Sequence, residues 1–195
     1  MVQDTMIDDS GKFVYSDNYF VIIEQENCGY LEVGTDMIRR IIENPYLCLI
    51  EASNGHSGGH LIVREDASIQ GVGTGTLIDF NIDSTISVLT ETGNAVPMMK
   101  EMPKEIELGH ELIHSLRAMG GYFKEYNDDT GHGYGMYAYE TQRGNINIEK
   151  YRKEELETTG ISYYDENGNW INASEWVTTE NSLRREHGYG RRVLY

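Results

Sequence analysis

Residues 103–121 have the sequence PKEIELGHELIHSLRAMGG, which predicts one amphipathic helix. Pro103 suits the first helical position, because the amide proton that proline lacks would have no partner inside the helix there. Gly120 and Gly121 predict the end of the helix. Four apolar side chains recur at spacings of seven and three residues and predict the face that packs on the core: Ile106, Ile113, Leu116 and Met119.

The middle of this helix contains His110-Glu111-Leu112-Ile113-His114. Residues four apart on a helix are separated by about 400° of rotation and lie about 6 Å apart on one face. His110 and His114 are therefore placed to bind one zinc ion through two imidazole nitrogens. Glu111 then lies beside the open coordination position, where its carboxylate can accept a proton from water. This pattern is typical of zinc metalloproteases.

A catalytic zinc ion usually has three protein ligands, so one more must come from elsewhere in the chain. The other four histidines are poor candidates, since they lie in glycine-rich segments or after a charged helix: His56, His60, His132 and His187. Residues 150–160, KYRKEELETTG, predict a second helix that ends at Gly160. Three carboxylates cluster on this helix: Glu154, Glu155 and Glu157. Either one of them completes the metal site, or together they form a solvated charged face.

The segment at residues 154–160, EELETTG, resembles the Glu-Glu-Leu-x-Thr-x-Gly segment of clostridial neurotoxin light chains, which also follows a His-Glu-Leu-Ile-His motif. The resemblance implies that Glu155, which lies 41 residues after His114, is the third zinc ligand. Further along, Glu180, Arg192 and Tyr195 match that family's glutamate, the arginine twelve residues later and the tyrosine three residues after that.

The same resemblance implies roles for these last three residues. Glu180 would orient one of the two histidines or hold Arg192. Arg192 and Tyr195 would be catalytic residues that stabilise the oxyanion, an effect worth about 3–4 kcal/mol when one such donor is removed. Two alternatives stay open: Arg192 is a surface charge in a basic tail, or the tyrosine role falls to Tyr189 or to another of the 14 tyrosines.

In size and in the order of its motifs, the chain resembles the NleD-like family of bacterial type III effector zinc metalloproteases over about its C-terminal half. Members of that family are translocated into host cells, where they cleave stress-activated MAP kinases. The resemblance therefore implies a Zn2+ cofactor, a protein substrate such as a host kinase, and a secreted or translocated location.

The chain has 195 residues, with 32 acidic and 16 basic side chains and a formal net charge of −16. Such an excess of negative charge disfavours nucleic acid and anionic membranes as partners. The sequence has no run of about 20 apolar residues and no positive, apolar N-terminal region, so we expect neither a transmembrane helix nor a cleavable signal peptide. The length fits a single zinc metalloprotease domain over residues 1–195, and we expect a monomer.

The first half of the chain predicts a strand-rich arrangement with one helix. Strands are predicted at residues 12–15, 19–24, 46–51, 61–64 and 76–80, and a helix capped by Thr35 or Asp36 is predicted to run to Ile42. Residues 76–81 are a candidate sheet edge for pairing with extended substrate. Residues 131–144 are rich in glycine and tyrosine and predict a loop between the two ligand helices.

These patterns together predict an α+β fold, a zincin-like metalloprotease domain in which a twisted sheet packs on the active-site helix and further helices follow towards the C-terminus. We expect a zinc-dependent endopeptidase of the HExxH, gluzincin-like kind, an effector or toxin that cleaves a host or competitor protein with Glu111 as general base. Two other functions stay open at this point. One is a non-catalytic interaction module with a structural zinc site, and the other is a zinc hydrolase of a non-peptide amide.

Overall fold

The computed structural model describes residues 5–7, 13–15, 31–92, 95–125, 132–141 and 143–195. The chain divides into two compact units, Met1–Tyr30 and Leu31–Tyr195. In the first unit, β1 (Thr5–Ile7) pairs antiparallel with β2 (Phe13–Tyr15). The strand predicted at residues 12–15 is thus confirmed as β2, whereas the one predicted at residues 19–24 lies outside the described residues.

The second unit mixes helices and strands, which confirms the α+β class. Its helices are α1 (Glu32–Ile42), α2 (Lys104–Met119), α3 (Lys153–Thr159) and α4 (Glu180–Glu186). Its strands are β3 (Cys48–Ala52), β4 (Gly58–Leu61), β5 (Thr76–Phe80), β6 (Ser87–Thr92), β7 (Ala95–Glu101), β8 (Tyr134–Glu140), β9 (Ile146–Arg152), β10 (Tyr163–Tyr164) and β11 (Trp170–Ile171). In the described part of the chain, no helix is both long and apolar enough to span a bilayer.

Helix α2 lies at the centre of the first hydrophobic core. It begins one residue after Pro103, which is the N-cap and not the first helical residue, and it ends before Gly120. The predicted apolar face is confirmed, since Ile106, Ile113, Leu116 and Met119 are all buried. The same core includes one buried residue each from α1, β5 and α4: Met37, Ile78 and Leu183.

A three-stranded sheet with the order β3-β5-β4 packs on α2. Strand β3 runs parallel to β5, and β4 runs antiparallel to it. The prediction that residues 76–81 form a sheet edge is wrong, because β5 is the central strand and pairs on both sides. Within the described residues the edges are β3 and β4. Strand β4 begins at Gly58, earlier than the strand predicted at residues 61–64.

A four-stranded antiparallel sheet with the order β11-β10-β8-β9 forms a second core with α3. Its inner face buries Tyr137 and Tyr163 against Leu156 and Ile161. The prediction of a loop over residues 131–144 is wrong, because these residues include the whole of β8. This strand requires a glycine at residue 135, because a Cβ atom there would lie 2.2 Å from the ring of Tyr163.

Two helices begin elsewhere than predicted, for tertiary reasons. Helix α1 begins at Glu32 because the Glu186 carboxylate on α4 accepts hydrogen bonds from the backbone amides of Val33 and Gly34, at 2.6 and 3.0 Å. Helix α3 begins only at Lys153, because residues 150–152 pair with β8 as part of β9. Its C-terminus is as predicted: Gly160 ends α3 in the left-handed conformation, with φ of 81°.

Candidate metal centre

Helix α2 brings the two histidines of the motif to one face. The Nε2 atoms of His110 and His114 lie 3.1 Å apart, and the ring centroids lie 4.8 Å apart with the planes at 82°. His110 is buried, and His114 is half-buried beside a cavity. Each ring therefore directs one nitrogen towards the same point.

Helix α3 supplies a carboxylate to this point. The Oε2 atom of Glu155 lies 3.3 Å from Nε2 of His110 and 3.1 Å from Nε2 of His114. The next residue, Leu156, is fully buried in the second core, and successive helical side chains diverge by about 100°, so Glu155 is turned towards α2. In the described ranges, His110, His114 and Glu155 form one group of candidate ligands with atoms within 4.8 Å of one another.

This donor set fits a zinc ion. Tetrahedral zinc with bonds of about 2.0–2.2 Å to nitrogen and oxygen holds its ligand atoms about 3.3 Å apart. The three separations between ligand atoms here are 3.1, 3.1 and 3.3 Å. A carboxylate also accepts the Nδ1 proton of each histidine ring, which leaves Nε2 as the nitrogen that can bind a metal.

Glu180 lies behind His110 at the start of α4, and its side chain is fully buried. Its Oε2 atom accepts hydrogen bonds from Nδ1 of His110 at 3.0 Å and from Nη1 of Arg192 at 2.9 Å, while Oε1 accepts one from Nε of Arg184 at 2.6 Å. Burial alone would raise the pKa of Glu180, but the His110 hydrogen bond and the Arg192 guanidinium bring this pKa down to about 2. Glu180 thus contacts both His110 and Arg192, the groups that it is predicted to orient or to hold.

Gly109, next to the first histidine, lies where the side chain of Leu183 on α4 packs against α2. A Cβ atom at this position would lie 2.6 Å from a methyl carbon of Leu183 on α4. The missing side chain lets the two helices meet near His110. Glycine is a poor helix former, but at this position it leaves room for the Leu183 side chain beside the site.

Glu111 extends from α2 towards strand β4. Its Oε2 atom lies 3.4 Å from the position that a Cβ atom of Gly59 would occupy. Both residues line a cavity of about 570 Å³ together with the three candidate ligands. The carboxylate therefore belongs to the wall of the same cavity as the three candidate ligands.

Tyr195 reaches the same group from the C-terminal segment. Its hydroxyl oxygen lies 3.0 Å from Nε2 of His110, and its ring packs against the Tyr151 ring at 4.6 Å and under the Arg192 guanidinium at 4.1 Å. Burial, followed by the negative charge of Glu155, raises the pKa of the Tyr195 phenol well above its ordinary value. The phenol is thus neutral at physiological pH and is able to donate a hydrogen bond.

Arg192 is only 8% exposed, so the alternative of a surface charge in a basic tail is wrong. Its backbone is held at two points by the Asn181 side chain, through bonds of 2.7 Å to its amide and 3.0 Å to its carbonyl. Tyr189 lies elsewhere: its hydroxyl donates to Glu105 at 2.6 Å, and Tyr195, not Tyr189, lines the cavity.

A family model described as effector protein, Peptidase M91, matches residues 16–195. The match covers most of the chain and includes all of the site residues described in this subsection. The chain belongs to the Peptidase M91 family. The resemblance to NleD-like effector metalloproteases is thereby confirmed. No match was found among curated proteins.

As a member of the Peptidase M91 family, the chain is a metallopeptidase-type effector enzyme, and a peptidase implies a protein substrate. Membership of an effector family suggests translocation into host cells. The metal that this class of enzyme needs has a matching set of donor atoms in His110, His114 and Glu155.

Glu154 is a site residue that sequence reasoning did not separate from its neighbours. Its Oε1 atom accepts from Nδ1 of His114 at 3.0 Å, and Arg117 pairs with both of its oxygens at 2.9 and 3.1 Å. Glu154 therefore accepts the Nδ1 proton of His114 in the same way that Glu180 accepts that of His110. One signal was present in the sequence: Glu154 lies three and four residues before Glu157 and Thr158, so the three share a helical face, and all three are buried.

Proposed function

We propose that this member of the Peptidase M91 family is a zinc-dependent endopeptidase, with His110, His114 and Glu155 as zinc ligands and Glu111 as general base. The observation that carries the proposal is the convergence of three ligand atoms from two helices, 3.1–3.3 Å apart, at the wall of an open cavity. Zincin-like architecture is part of the proposal, since the ligand helix packs on the sheet β3-β5-β4.

Bound zinc would supply Lewis-acid chemistry, by making water more acidic and by polarising the carbonyl of the scissile bond. Glu111 would take the proton from the attacking water and hand it to the nitrogen of the leaving amine. Tyr195 and Arg192 would stabilise the negative charge that develops on the carbonyl oxygen. Glu180 would hold His110 and Arg192 in place by accepting a hydrogen bond from each of them.

Strand β4 is the element along which the scissile segment would lie. It pairs with β5 on one side and is a sheet edge within the described residues, and Gly59 on it lies next to Glu111. An extended peptide can add to such an edge through main-chain hydrogen bonds. In this proposal β4, and not residues 76–81 as predicted from the sequence, is the sheet edge that pairs with extended substrate.

The alternative of a structural zinc site requires four protein ligands. The converging group in the described part of the chain supplies three, and it borders a cavity large enough for substrate. This arrangement favours a catalytic centre. We further propose that residues 1–195 act as a single monomeric protease domain, and that its substrate is a host or competitor protein, with host kinases the class that the NleD-like resemblance favours.

Replacement of Glu111 by Gln tests the mechanism. We expect zinc to bind as in the wild type while cleavage falls by a factor of about 10² to 10⁴, because the amide cannot accept the proton. Cleavage is measured by mass spectrometry of new peptide termini in a host-cell lysate and in a peptide library made from that lysate. The control is Glu105→Gln, an exposed carboxylate on the same helix. Undiminished cleavage by Glu111→Gln would remove Glu111 from the mechanism.

A further inference from the structure

The four-stranded sheet exposes one face that is rich in large apolar side chains. We call it the exposed sheet face and define it by five residues on four strands: Met136, Ile146, Ile148, Tyr164 and Trp170. Their exposed fractions are 41%, 67%, 67%, 53% and 54%. Single exposed apolar residues are ordinary on protein surfaces, but a cluster of them is typical of an interaction site.

The strand register shows that these side chains form one continuous patch. Trp170 pairs with Tyr164, their ring centroids lie 4.8 Å apart, and Tyr164 pairs in turn with Met136. Ile148 lies opposite Ala138 and Ile146 lies opposite Glu140 on the neighbouring strand. Met136 lies opposite Lys150 on β9, and diagonal neighbours on one sheet face are about 7–8 Å apart, so the patch continues from Met136 to Ile148 diagonally, beside Lys150.

The alternate residues of the same strands show that this face is not merely a poorly packed core. Tyr137 and Tyr163 point to the opposite side, where they are 1% and 2% exposed. The inner face supports the catalytic segment: the backbone amide of Tyr195 donates to the hydroxyl of Tyr137 at 3.4 Å. The sheet thus has one face that builds the active centre and one face with large apolar groups in water.

The exposed sheet face leads directly to the catalytic cavity. Alternate residues of a strand share a face, so Ile146, Ile148, Lys150 and Arg152 form one row along β9. Arg152 lines the cavity that holds Glu111 and the three candidate ligands. From Ile148 to Arg152 the row is about 13 Å long, at about 3.3 Å per residue. A molecule bound on the patch would therefore extend into the cleft.

The charge along this row limits the chemistry of the occupant. In a chain with a formal net charge of −16, the row changes from apolar side chains to Lys150 and then to Arg152 at the cavity. The exposed Lys150 complements a partner with an apolar surface followed by an acidic segment before the entrance to the cavity. A short peptide that fills the cleft would not cover a patch spread over four strands, whereas a folded protein would.

We propose that the exposed sheet face is the docking surface for the intact protein substrate, a folded protein with an apolar patch next to an acidic segment. This inference rests on the proposed endopeptidase function and adds the way in which the enzyme selects its target. Docking on the sheet raises the local concentration of the scissile segment at β4 without a part in the chemistry.

The experiment compares cleavage of folded and unfolded targets by the same variants. Ile148→Asp places a charge in the patch, and Trp170→Ser removes its largest ring on a different strand. We expect each variant to slow cleavage about tenfold in a native host-cell lysate and to cleave the matching peptide library within about twofold of wild type. Ile42→Asp is the matched control, since Ile42 is 63% exposed on α1, and it should cleave both materials as wild type does.

Each outcome decides between the proposals. Equal cleavage of native proteins by both patch variants and wild type overturns the docking surface, and so does an equal loss on proteins and on peptides. A wild-type dimer that Ile148→Asp makes monomeric also overturns it, because the face would then join two copies of the chain. Failure of the endopeptidase function looks different: wild type and Glu111→Gln would show the same new termini in both materials.

Discussion

At the scale of single residues, each histidine of the candidate metal centre is fixed by its own carboxylate, and each carboxylate by arginine. Glu180 accepts from His110 and pairs with Arg192, and Glu154 accepts from His114 and pairs with Arg117. A buried carboxylate without a partner is costly, so the arginines make these two anions stable next to the proposed metal ligands. The anions in turn make the imidazoles better ligands.

Replacing either carboxylate by its amide should weaken metal binding. For Glu154→Gln and for Glu180→Gln we expect the zinc affinity to fall by a factor of about 10 to 100, because an amide oxygen is a weaker acceptor for the imidazole proton than a carboxylate is. The affinity is measured by competition with a fluorescent zinc chelator at constant pH.

Glu186→Gln is the control for this pair of variants. Glu186 lies on α4, as Glu180 does, but its carboxylate accepts from backbone amides of α1 and contacts neither histidine. Its replacement should leave the zinc affinity within about twofold of the wild type. If the Glu154 and Glu180 variants bound zinc as tightly as the Glu186 variant, the two carboxylates would have no part in ligand orientation.

At the scale of elements, one glycine lies where the end of the helix that carries Glu155 meets the start of the helix that carries Glu180. Gly160 ends α3 with φ of 81°, and a Cβ atom there would lie 2.8 Å from the Thr179 hydroxyl oxygen. Thr179 is the N-cap of α4, where it forms a capping box with Ser182. A side chain at residue 160 would therefore strain one helix end and push on the other.

Gly160→Ala should destabilise the protein more than a comparable glycine replacement elsewhere. The left-handed conformation costs an L-residue about 1–2 kcal/mol, and overpacking against Thr179 adds about 1–3 kcal/mol. Gly168→Ala is the matched control, since it has φ of 78° with nothing within 4 Å of its Cβ position, so it should lose only the first amount. Urea unfolding gives both free energies, and equal losses would show that Thr179 moves away without cost.

The elements that the sequence predicted well are those fixed by local chemistry. Helix α2 has its stop signal and apolar face in its own residues, and Gly160 marks the end of α3 by the conformation that glycine allows. Strand β8 was missed because its glycines suggest a loop, whereas the ring of Tyr163, 28 residues after Gly135, is what requires a glycine there. The start of α1 likewise depends on Glu186, which no local pattern could reveal.

The site residues likewise divide into those that the local sequence predicts and those that depend on distant contacts. The helical spacing of His110 and His114 predicts that they share a face, and the structure brings their nitrogens together. The choice among the three glutamates of α3 depends on how Leu156 is buried in the second core, so spacing alone left it open. Asn181, which holds the backbone of Arg192, gave no sequence signal, because a two-point hydrogen bond to a distant backbone has no motif.

At the scale of the whole molecule, the candidate metal centre lies between the two hydrophobic cores. Helix α2, with both histidines, belongs to the first core, and α3, with Glu155, is anchored in the second core by Leu156. A further connection is the C-terminal segment, where Arg192 bridges to Thr90 on β6 and Tyr195 contacts β8 and β9. An ion bound by both helices would therefore link the two cores directly.

Zinc should stabilise the chain against heat, because an ion that binds only the folded state adds its binding free energy to the free energy of unfolding. At a free zinc concentration about 100 times Kd this is about 2.7 kcal/mol, or about 5–10 °C in Tm for a chain of this size. Scanning calorimetry with zinc and with a chelator measures the shift, and hydrogen exchange should show that β8 and β9 gain protection together with α2.

His114→Ala should abolish the shift in Tm. His187→Ala should retain it, because His187 is exposed and does not line the cavity. Protection confined to α2 would mean that the ion is held by one helix alone, and Glu155 would then not be a ligand.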